Sequence, residues 1–168
     1  MPGYFSRFKH LYVLTLPECA YILVFMDKAA ASQCICINLR QASQAITQFY
    51  DTALEPSGLK ITQFSVLKAA RYLEPVSISD LAEYLGLDRT TLGRNLRILE
   101  REKLVALGPG QDHRERAVRV TEQGQVAYRM AYPLWKQAQG KLTQGLGKEQ
   151  VEILGTLLSN LESAANSR

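Results

Sequence analysis

The stretch that most constrains the fold runs from residue 77 to residue 124, where the residue pattern predicts two short helices, two strands and a further helix start in succession. Ser77 precedes Asp80 by three residues, and a hydroxyl at that distance before an acid is typical of a helix N-terminus. Residues 81–86 give a short amphipathic helix with the small residue Ala82 and a turn glycine, Gly86. Small residues let a second helix cross closely, and glycine tolerates the unusual φ of a tight corner. The pattern predicts a helix-turn-helix.

The second helix of the pair is predicted to begin after Asp88 and to end near Arg101. Its apolar residues Leu92, Leu96 and Leu99 recur at i, i+4 and i+7, so they share one face. The opposite face is then free to turn polar and basic side chains outward: Arg89, Thr90, Thr91, Arg94, Asn95 and Arg97. Such a face suits the major groove of DNA.

A basic β-hairpin is predicted to follow the second helix. Residues 104–107 form an apolar run, residues 108–110 read Gly-Pro-Gly, and residues 116–120 read Arg-Ala-Val-Arg-Val, which mixes basic and apolar side chains. This order predicts two strands joined by a loop. Thr121 then caps a long helix that contains Gly124. The whole predicts a winged helix-turn-helix, mainly α-helical with a small β-wing.

The basic charge of the chain is concentrated in this region. The 168 residues carry a net charge of +4, which is ordinary by itself, and their 46% hydrophobic content supports the core of one compact domain. Between Asp88 and Arg119, eight Arg or Lys residues stand against five Asp or Glu residues. Nearly all of the net charge therefore lies on the second helix and the wing, where a phosphate backbone would be met.

Helices with apolar stripes are predicted on either side of the central module. A helix over residues 63–73, capped by Thr62, leads into it. Residues 33–51 and 148–164 place apolar side chains at alternating spacings of three and four, which is typical of helices that pack on another helix. Because a symmetric dimer would bury both stripes, we expect a homodimer. Its DNA-binding lobe would span about residues 60–121, and its dimerisation helices about residues 33–54 and 122–165.

The first 30 residues are predicted to be an N-terminal extension of a domain at residues 31–168. A basic start, an apolar run and a run of alanines superficially resemble a signal peptide. The run is too short to span a membrane, and Glu18 interrupts it. Met26 offers another start, which would make residues 1–25 an upstream extension. These interpretations stay open, and no membrane partner is expected.

The three cysteines Cys19, Cys34 and Cys36 form an odd set, which argues against a disulfide scaffold and favours a reducing, cytoplasmic location. With His10 and His113 as the two histidines, four metal ligands do not fall at plausible spacings. We therefore expect no metal and no cofactor. Neither histidine is placed to serve Cys36 as a base, so the chain is not expected to be an enzyme.

Three segments carry a resemblance to a known family. Residues 59–67 (LKITQFSVL), 88–96 (DRTTLGRNL) and 112–124 (DHRERAVRVTEQG) resemble, in order, the second-helix entry, the recognition helix and the wing of the MarR (multiple antibiotic resistance regulator) family. The last segment is the most specific, with its Asp-x-Arg, strand and Thr-x-x-Gly. The resemblance covers the chain from about residue 33 to the C-terminus. It implies an all-α protein apart from the wing, which dimerises through its terminal helices and binds palindromic operators.

DNA contacts are predicted for the second helix. Arg89, Arg94 and Arg97 offer bidentate donors to guanine edges or phosphates, and Asn95 suits adenine. In the first turn, the hydroxyls and free backbone N–H groups of Thr90 and Thr91 suit a phosphate or a base edge.

The alternative is a solvated face whose cations pair with the nearby acids Glu100, Glu102 and Glu115. We favour it for Arg101 and Lys103.

Two further DNA contacts are predicted on the wing. Arg114 at the tip is placed to enter a minor groove, where narrow A·T tracts concentrate negative potential. Arg116 on the return strand belongs to the same DNA-binding set. Asp112 is expected to tie down the hairpin by pairing with an arginine rather than to touch DNA.

The run from Cys36 to Tyr50 resembles the first helix of the organic-hydroperoxide-sensing branch of the family, whose matching cysteine reacts with peroxide. Arg40, one turn on, would favour the thiolate of Cys36. Tyr50 lies about 21 Å further along the helix, so only Tyr50 of the partner subunit would reach Cys36. The alternative is that Cys34 and Cys36 are small buried hydrophobic residues.

The alternative to oxidation of Cys36 as the signal for release from DNA is a small aromatic or lipophilic ligand. It would bind between the dimerisation helices and the winged helix, lined by Tyr128, Tyr132 and Trp135. Aromatic residues at this spacing are also expected in a core, and both interpretations stay open.

The sequence thus predicts a homodimeric, sequence-specific DNA-binding regulator, a repressor released by a ligand or by cysteine oxidation. The alternative function is a winged-helix protein-interaction module without operator specificity.

Overall fold

The computed structural model describes residues 34–110 and 116–167, which belong to two compact units. The first unit contributes residues 34–44, the leading part of helix α1, and the second begins at Ala45. In chain order the elements are α1 (Ile35–Leu54), a 3-10 turn (Glu55–Ser57), α2 (Ile61–Leu73), β1 (Val76–Ser77), α3 (Ile78–Leu85), α4 (Arg89–Arg101), β2 (Val105–Pro109), β3 (Arg116–Val120), α5 (Glu122–Leu146) and α6 (Lys148–Asn166). This architecture confirms the predicted fold class, mainly α-helical with a small antiparallel sheet.

Three of the predicted helix starts are built as the sequence indicates. The Ser77 hydroxyl accepts a hydrogen bond from a first-turn N–H of α3 at 3.0 Å. The Asp88 carboxylate accepts two first-turn N–H groups of α4 at 2.9 Å, and the Thr121 hydroxyl accepts one from α5 at 3.0 Å. Between α3 and α4, Gly86 adopts the left-handed φ of 62° that glycine permits at a tight corner. The helix-turn-helix is therefore confirmed.

The predicted cap at Thr62 is wrong, because α2 begins at Ile61. The Lys60 N–H donates to Gln63 Oε1 at 2.7 Å, and the Ile61 N–H donates to Asp51 Oδ1 at 2.7 Å. Asp51 belongs to α1, and its other oxygen lies 3.6 Å from the Lys60 ammonium. The start of α2 thus depends on a contact with the preceding helix, which local spacing does not reveal.

Within residues 34–110 and 116–167, the sheet has three antiparallel strands in the order β1-β3-β2. Strand β1, which the sequence did not predict, has two residues, and its Val76 pairs with Val118 of β3. Strand β2 extends to Pro109, which pairs with Arg116 although its Gly-Pro-Gly context predicted a loop. Because β2 lies at an edge, a proline without an N–H donor is tolerated there.

The core of the second unit lies where α2, α3, α4 and the sheet meet. Leu92, Leu96 and Leu99 of α4 are buried, as their spacing predicts. The same cluster contains residues of the other elements: Phe64, Leu67, Leu81 and Val118. Since burying one Leu side chain stabilises the fold by about 1.5–3 kcal/mol, this face fixes α4 and leaves its other face outward.

A close backbone contact joins α5 to the wing. The Thr121 N–H donates to the Leu104 carbonyl at 3.1 Å, and the Thr121 hydroxyl donates to the Lys103 carbonyl at 2.6 Å. Gly124 lies so near the Leu104 carbonyl that an added Cβ would overlap its oxygen. The glycine of the Thr-x-x-Gly pattern is therefore required by space.

Helices α1 and α6 leave apolar side chains at the surface. No residue of α6 is buried over Lys148–Asn166, and Leu154 and Leu158 are 45% and 39% exposed. In α1, Ile35 and Ile46 are also exposed. Among the described residues, the predicted apolar stripes are thus largely uncovered. None of the helices in the described part of the chain has the length and apolar character needed to cross a membrane.

Candidate nucleic-acid interface

The outer face of α4 carries three arginines into solvent. Arg89, Arg94 and Arg97 are exposed, while the leucines of the opposite face are buried. None of the three forms an ion pair with another described residue. Their guanidinium donors are therefore available for guanine edges and phosphate oxygens.

Among the described residues, the basic side chains of α4 form no ion pair with the acids at the end of the helix. Glu100 and Glu102 are exposed, and neither forms an ion pair within residues 34–110 and 116–167. Arg101 and Lys103, for which pairing was favoured, are likewise exposed and unpaired among those residues. Among the described residues, the cations of this helix end are therefore not tied to carboxylates.

Asp88 closes the first turn of α4. Its Oδ1 accepts the Thr90 and Thr91 N–H groups at 2.9 Å, and its Oδ2 accepts the Thr91 hydroxyl at 2.6 Å. The expectation that these N–H groups are free for a phosphate is therefore wrong. The hydrogen bonds, led by that of the Thr91 hydroxyl, hold the pKa of Asp88 below its ordinary value, so the cap is charged at neutral pH. Thr90 is exposed and Thr91 is half-buried.

Asn95 is half-buried on the same helix, and its Nδ2 donates to the Thr91 carbonyl at 3.1 Å. This bond occupies one of the two amide N–H groups and fixes the orientation of the side chain. The second N–H and the carbonyl oxygen form no bond with the described residues. They are the donor and acceptor that an adenine edge requires.

The wing contributes two further cations within the described residues. Arg116 opens β3 and Arg119 lies near its end, and both are exposed. Asp112, Arg114 and Glu115 lie outside the described residues, so the predicted wing tip stays a prediction. Arg119 was assigned no role from the sequence, although it is a basic residue of the same predicted strand as Arg116.

The candidate redox residues are divided between the two units. Cys36 and Arg40 are exposed in the first unit, and Cys34 is exposed as well. The interpretation of the two thiols as buried hydrophobic residues is therefore wrong for the single chain. Tyr50, in the second unit, is buried, and its phenol donates to Gln139 Oε1 of α5. Burial raises the pKa of Tyr50, and its one donor is used within its own chain.

Tyr128, Tyr132 and Trp135 form an aromatic cluster along α5. Centroids of successive rings lie 5.5 and 5.7 Å apart, and Phe64 of α2 stacks on Tyr128 at 5.8 Å. Two cations of α2 lie 3.9 and 4.7 Å from the ring centres of Trp135 and Tyr128, respectively: Lys68 and Arg71. Tyr132 remains 37% exposed. The cluster thus packs on the core at one side and keeps one ring in solvent.

A separate open cleft of about 330 Å³ lies where the turn before α2, the end of α4 and the first half of α5 meet. We call it the junction cleft. Its lining includes Leu59, Glu102, Leu104, Gln123, Val126 and Met130, and none of the three rings of the aromatic cluster. Within the described part of the chain, no three His, Cys, Asp or Glu side chains converge to hold a metal ion.

Known proteins that are similar to this chain identify its family. The sequence profile of the MarR family matches residues 57–115. The transcriptional regulator MosR of M. tuberculosis is 34% identical, and the match covers 82% of this chain and 98% of MosR with a TM-score of 0.71. This protein belongs to the MarR family.

Further relatives of this MarR-family chain are also regulators of transcription. The uncharacterized HTH-type transcriptional regulator YwoH of Bacillus subtilis is 30% identical over 90 residues, which are 54% of this chain and 66% of YwoH. MosR in complex with DNA is 35% identical, covers 79% of this chain and 98% of its own, and gives a TM-score of 0.70. A mutant MarR of E. coli complexed with operator DNA, 24% identical with a TM-score of 0.67 and coverages of 73% and 89%, shares the fold.

Proposed function

We propose that this MarR-family protein is a homodimer that binds a palindromic operator in double-stranded DNA and represses transcription. The outer face of α4 carries the proposal, because Arg89, Arg94 and Arg97 are exposed there and unpaired among the described residues. The relative MosR has been solved in complex with DNA, which supports the same partner here. Since such a protein acts on the chromosome, we place it in the cytoplasm.

The side chains of the interface would make two kinds of contact, to base edges and to phosphates. Arg94, near the middle of the exposed face, would donate bidentately to a guanine edge, and Asn95 would pair with adenine. Phosphate contacts fix register without reading sequence. We assign them to Arg89, Thr90, Arg97 and Arg116, while Thr91, whose N–H and hydroxyl both donate to Asp88, would hold the first turn of α4 in place. Arg114 would enter the minor groove, with Asp112 holding the hairpin.

The uncovered apolar faces of α1 and α6 support the homodimer. In a single chain they leave side chains such as Leu154 and Leu158 partly exposed to water. A two-fold partner would bury the same faces of both copies. The two recognition helices would then lie roughly 34 Å apart, on successive major grooves of one side of the DNA.

A footprint on the DNA upstream of the protein's own gene tests this proposal. We expect protection of two half-sites whose centres lie about 10 base pairs apart. Protection of random DNA should require more protein and vanish first as salt rises, because it rests on phosphate contacts alone. Uniform protection without a preferred position would contradict operator binding.

Release from DNA is proposed to follow either a small aromatic or lipophilic ligand at the aromatic cluster or oxidation of Cys36. Exposure of the thiol favours attack by an oxidant, and the exposed part of Tyr132 offers a stacking face to a ligand. Operator binding before and after peroxide, with Cys36→Ser beside the parent, separates the two. Loss of binding in the parent alone supports oxidation, whereas equal binding in both proteins supports the ligand.

A further inference from the structure

Two basic side chains of α2 lie against the aromatic cluster of α5. The Lys68 ammonium is 3.9 Å from the centre of the Trp135 ring, and the Arg71 guanidinium is 4.7 Å from that of Tyr128. Arg71 also donates through Nε to Gln125 Oε1 at 2.7 Å. A cation over an aromatic ring is attracted by the negative face of the ring quadrupole. Each contact therefore holds α2 against a particular point of α5.

The two contacts fix the register of α2 on α5. Lys68 and Arg71 are three residues apart on α2, whereas Tyr128 and Trp135 are seven residues apart, or about 10 Å, along α5. The later cation contacts the earlier ring, as antiparallel helices require. A single contact would let α2 pivot about it. Two contacts at different heights oppose both the sliding and the rotation of α2 along α5.

The contacts lie on either side of Pro133, which stands inside α5. Because proline has no N–H, α5 lacks one of its helical hydrogen bonds at this point and bends more easily there. Tyr128 precedes Pro133 and Trp135 follows it, so one cation of α2 holds each side. The half of α5 before Pro133 meets the wing at Gly124, and the half after it leads to α6. Helix α2 therefore stiffens the connection between the DNA-binding lobe and α6.

We propose that Lys68 and Arg71 are positioning residues that set the half-site spacing accepted by the protein, although neither contacts DNA. This inference rests on the proposed function, a dimer joined through α6 whose two α4 helices read the operator. Within the lobe, α2 and α4 share one core, so α4 follows α2. The register of α2 on α5 then determines where each α4 lies relative to the two-fold axis. A duplex with another spacing binds only if that register is strained.

Duplexes with altered spacing test the proposal. One base pair inserted between the half-sites, or removed from between them, shifts one half-site by about 3.4 Å and turns it by about a tenth of a turn. Anisotropy titrations give the spacing ratio, the affinity for the original operator divided by that for each altered duplex. Lys68→Met with Arg71→Met keeps unbranched side chains without charge. We expect it to reduce the spacing ratio about 5–30-fold, as for the loss of two exposed cation–π contacts.

Two further double variants assign the effect to the cations over the rings. Lys68→Arg with Arg71→Lys keeps a positive charge at both positions and should keep most of the spacing ratio. Arg129→Met with Lys141→Met removes two charges from exposed positions of α5. It should leave the ratio unchanged, because diffuse charge acts on all duplexes alike. A ratio as low in either variant as in the Met variant of α2 would overturn the role of the two cations.

Trp135 is the single tryptophan of the chain, so its fluorescence reports the contact itself. A charge beside an indole ring shifts its emission. Lys68→Met should therefore change the emission maximum of the free protein, whereas Lys141→Met should not. In the parent, duplexes of altered spacing should change Trp135 emission more than the original operator does. Identical emission with every bound duplex would overturn the proposal, because the register would then not be strained.

The affinities separate this inference from the proposed function. A parent that prefers the original spacing, and a Met variant of α2 that loses this preference, support both. An unchanged spacing ratio in the Met variant overturns the inference and leaves operator binding intact. Equal affinity of the parent for the operator and for a shuffled duplex overturns the proposed function, and this inference with it.

Discussion

The winged helix lobe buries its apolar residues, whereas helix α6 leaves its own exposed. In the lobe, Leu92, Leu96 and Leu99 are covered by other residues of the same chain. In α6 no residue is buried, and Leu154 and Leu158 remain at the surface. The lobe therefore has its own core, whereas α6 needs a second surface to remove its apolar face from water. That contrast underlies the proposed homodimer.

The largest expected effect is the loss of a lobe core residue. Leu96→Ala should reduce the free energy of unfolding by about 2–5 kcal/mol, because it removes buried methyl groups and leaves a cavity. Arg101→Ala, on the exposed side of the same helix, should change it by less than about 0.5 kcal/mol. Urea denaturation followed by circular dichroism measures both. Equal losses in the two variants would break the distinction between a packed and a free face of α4.

Charges placed on the apolar face of α6 should act on assembly. Leu154→Glu with Leu158→Glu should weaken dimerisation by about a thousandfold, since central interface residues contribute about 2 kcal/mol or more each and the two together about 4 kcal/mol. Ser159→Glu adds a charge to an exposed polar position of α6 and serves as the control. Sedimentation equilibrium over a concentration series gives the dissociation constants. An unchanged constant in the double variant would show that α6 does not form the interface.

A smaller effect is expected at the face of α4 that meets DNA. Arg94→Ala should reduce operator affinity by about 1–3 kcal/mol and relax the preference at one base pair. Arg101→Ala, the same change further along the helix, should alter affinity less and leave base preference intact. Anisotropy titrations with single-base variants of the operator report both quantities. If the two substitutions change affinity and base preference equally, the face contributes charge but does not read the base sequence.

The smallest expected effect concerns the cap of α4. Hydrogen bonds in the folded state lower the pKa of Asp88, so its charged form stabilises the protein above the ordinary Asp range. That stabilisation is lost as the pH falls through the lowered pKa. Asp88→Asn keeps an acceptor oxygen without the charge, so its melting temperature should lie below that of the parent at about pH 7 and approach it near pH 3. A difference independent of pH would contradict the charged cap.

Features with partners two or three residues away could be predicted from the sequence. The caps at Ser77, Asp88 and Thr121 are of this kind, and helical periodicity placed the arginines of α4 outward. The cap of α2 could not be predicted, because Asp51 reaches it from another helix. Strand β1 was missed because two residues carry no periodic pattern and its partner strand is distant in the chain.

Some contacts of the candidate site likewise could not be predicted from the sequence. The bond from Asn95 to the Thr91 carbonyl and the use of both first-turn N–H groups by Asp88 depend on side-chain geometry, which residue types alone do not specify. Lys68 above Trp135 depends on how α2 packs against α5. The assignments to Asp112 and Arg114 remain predictions.

The central claim is that the exposed face of α4 reads a specific operator as part of a dimer. Anisotropy titration of the footprinted duplex beside a shuffled duplex of equal length and composition, at several salt concentrations, tests it most directly. Operator readout by α4 predicts a preference of about a thousandfold or more for the operator, with both affinities falling as salt rises. Equal affinity for the two duplexes at every salt concentration would contradict it.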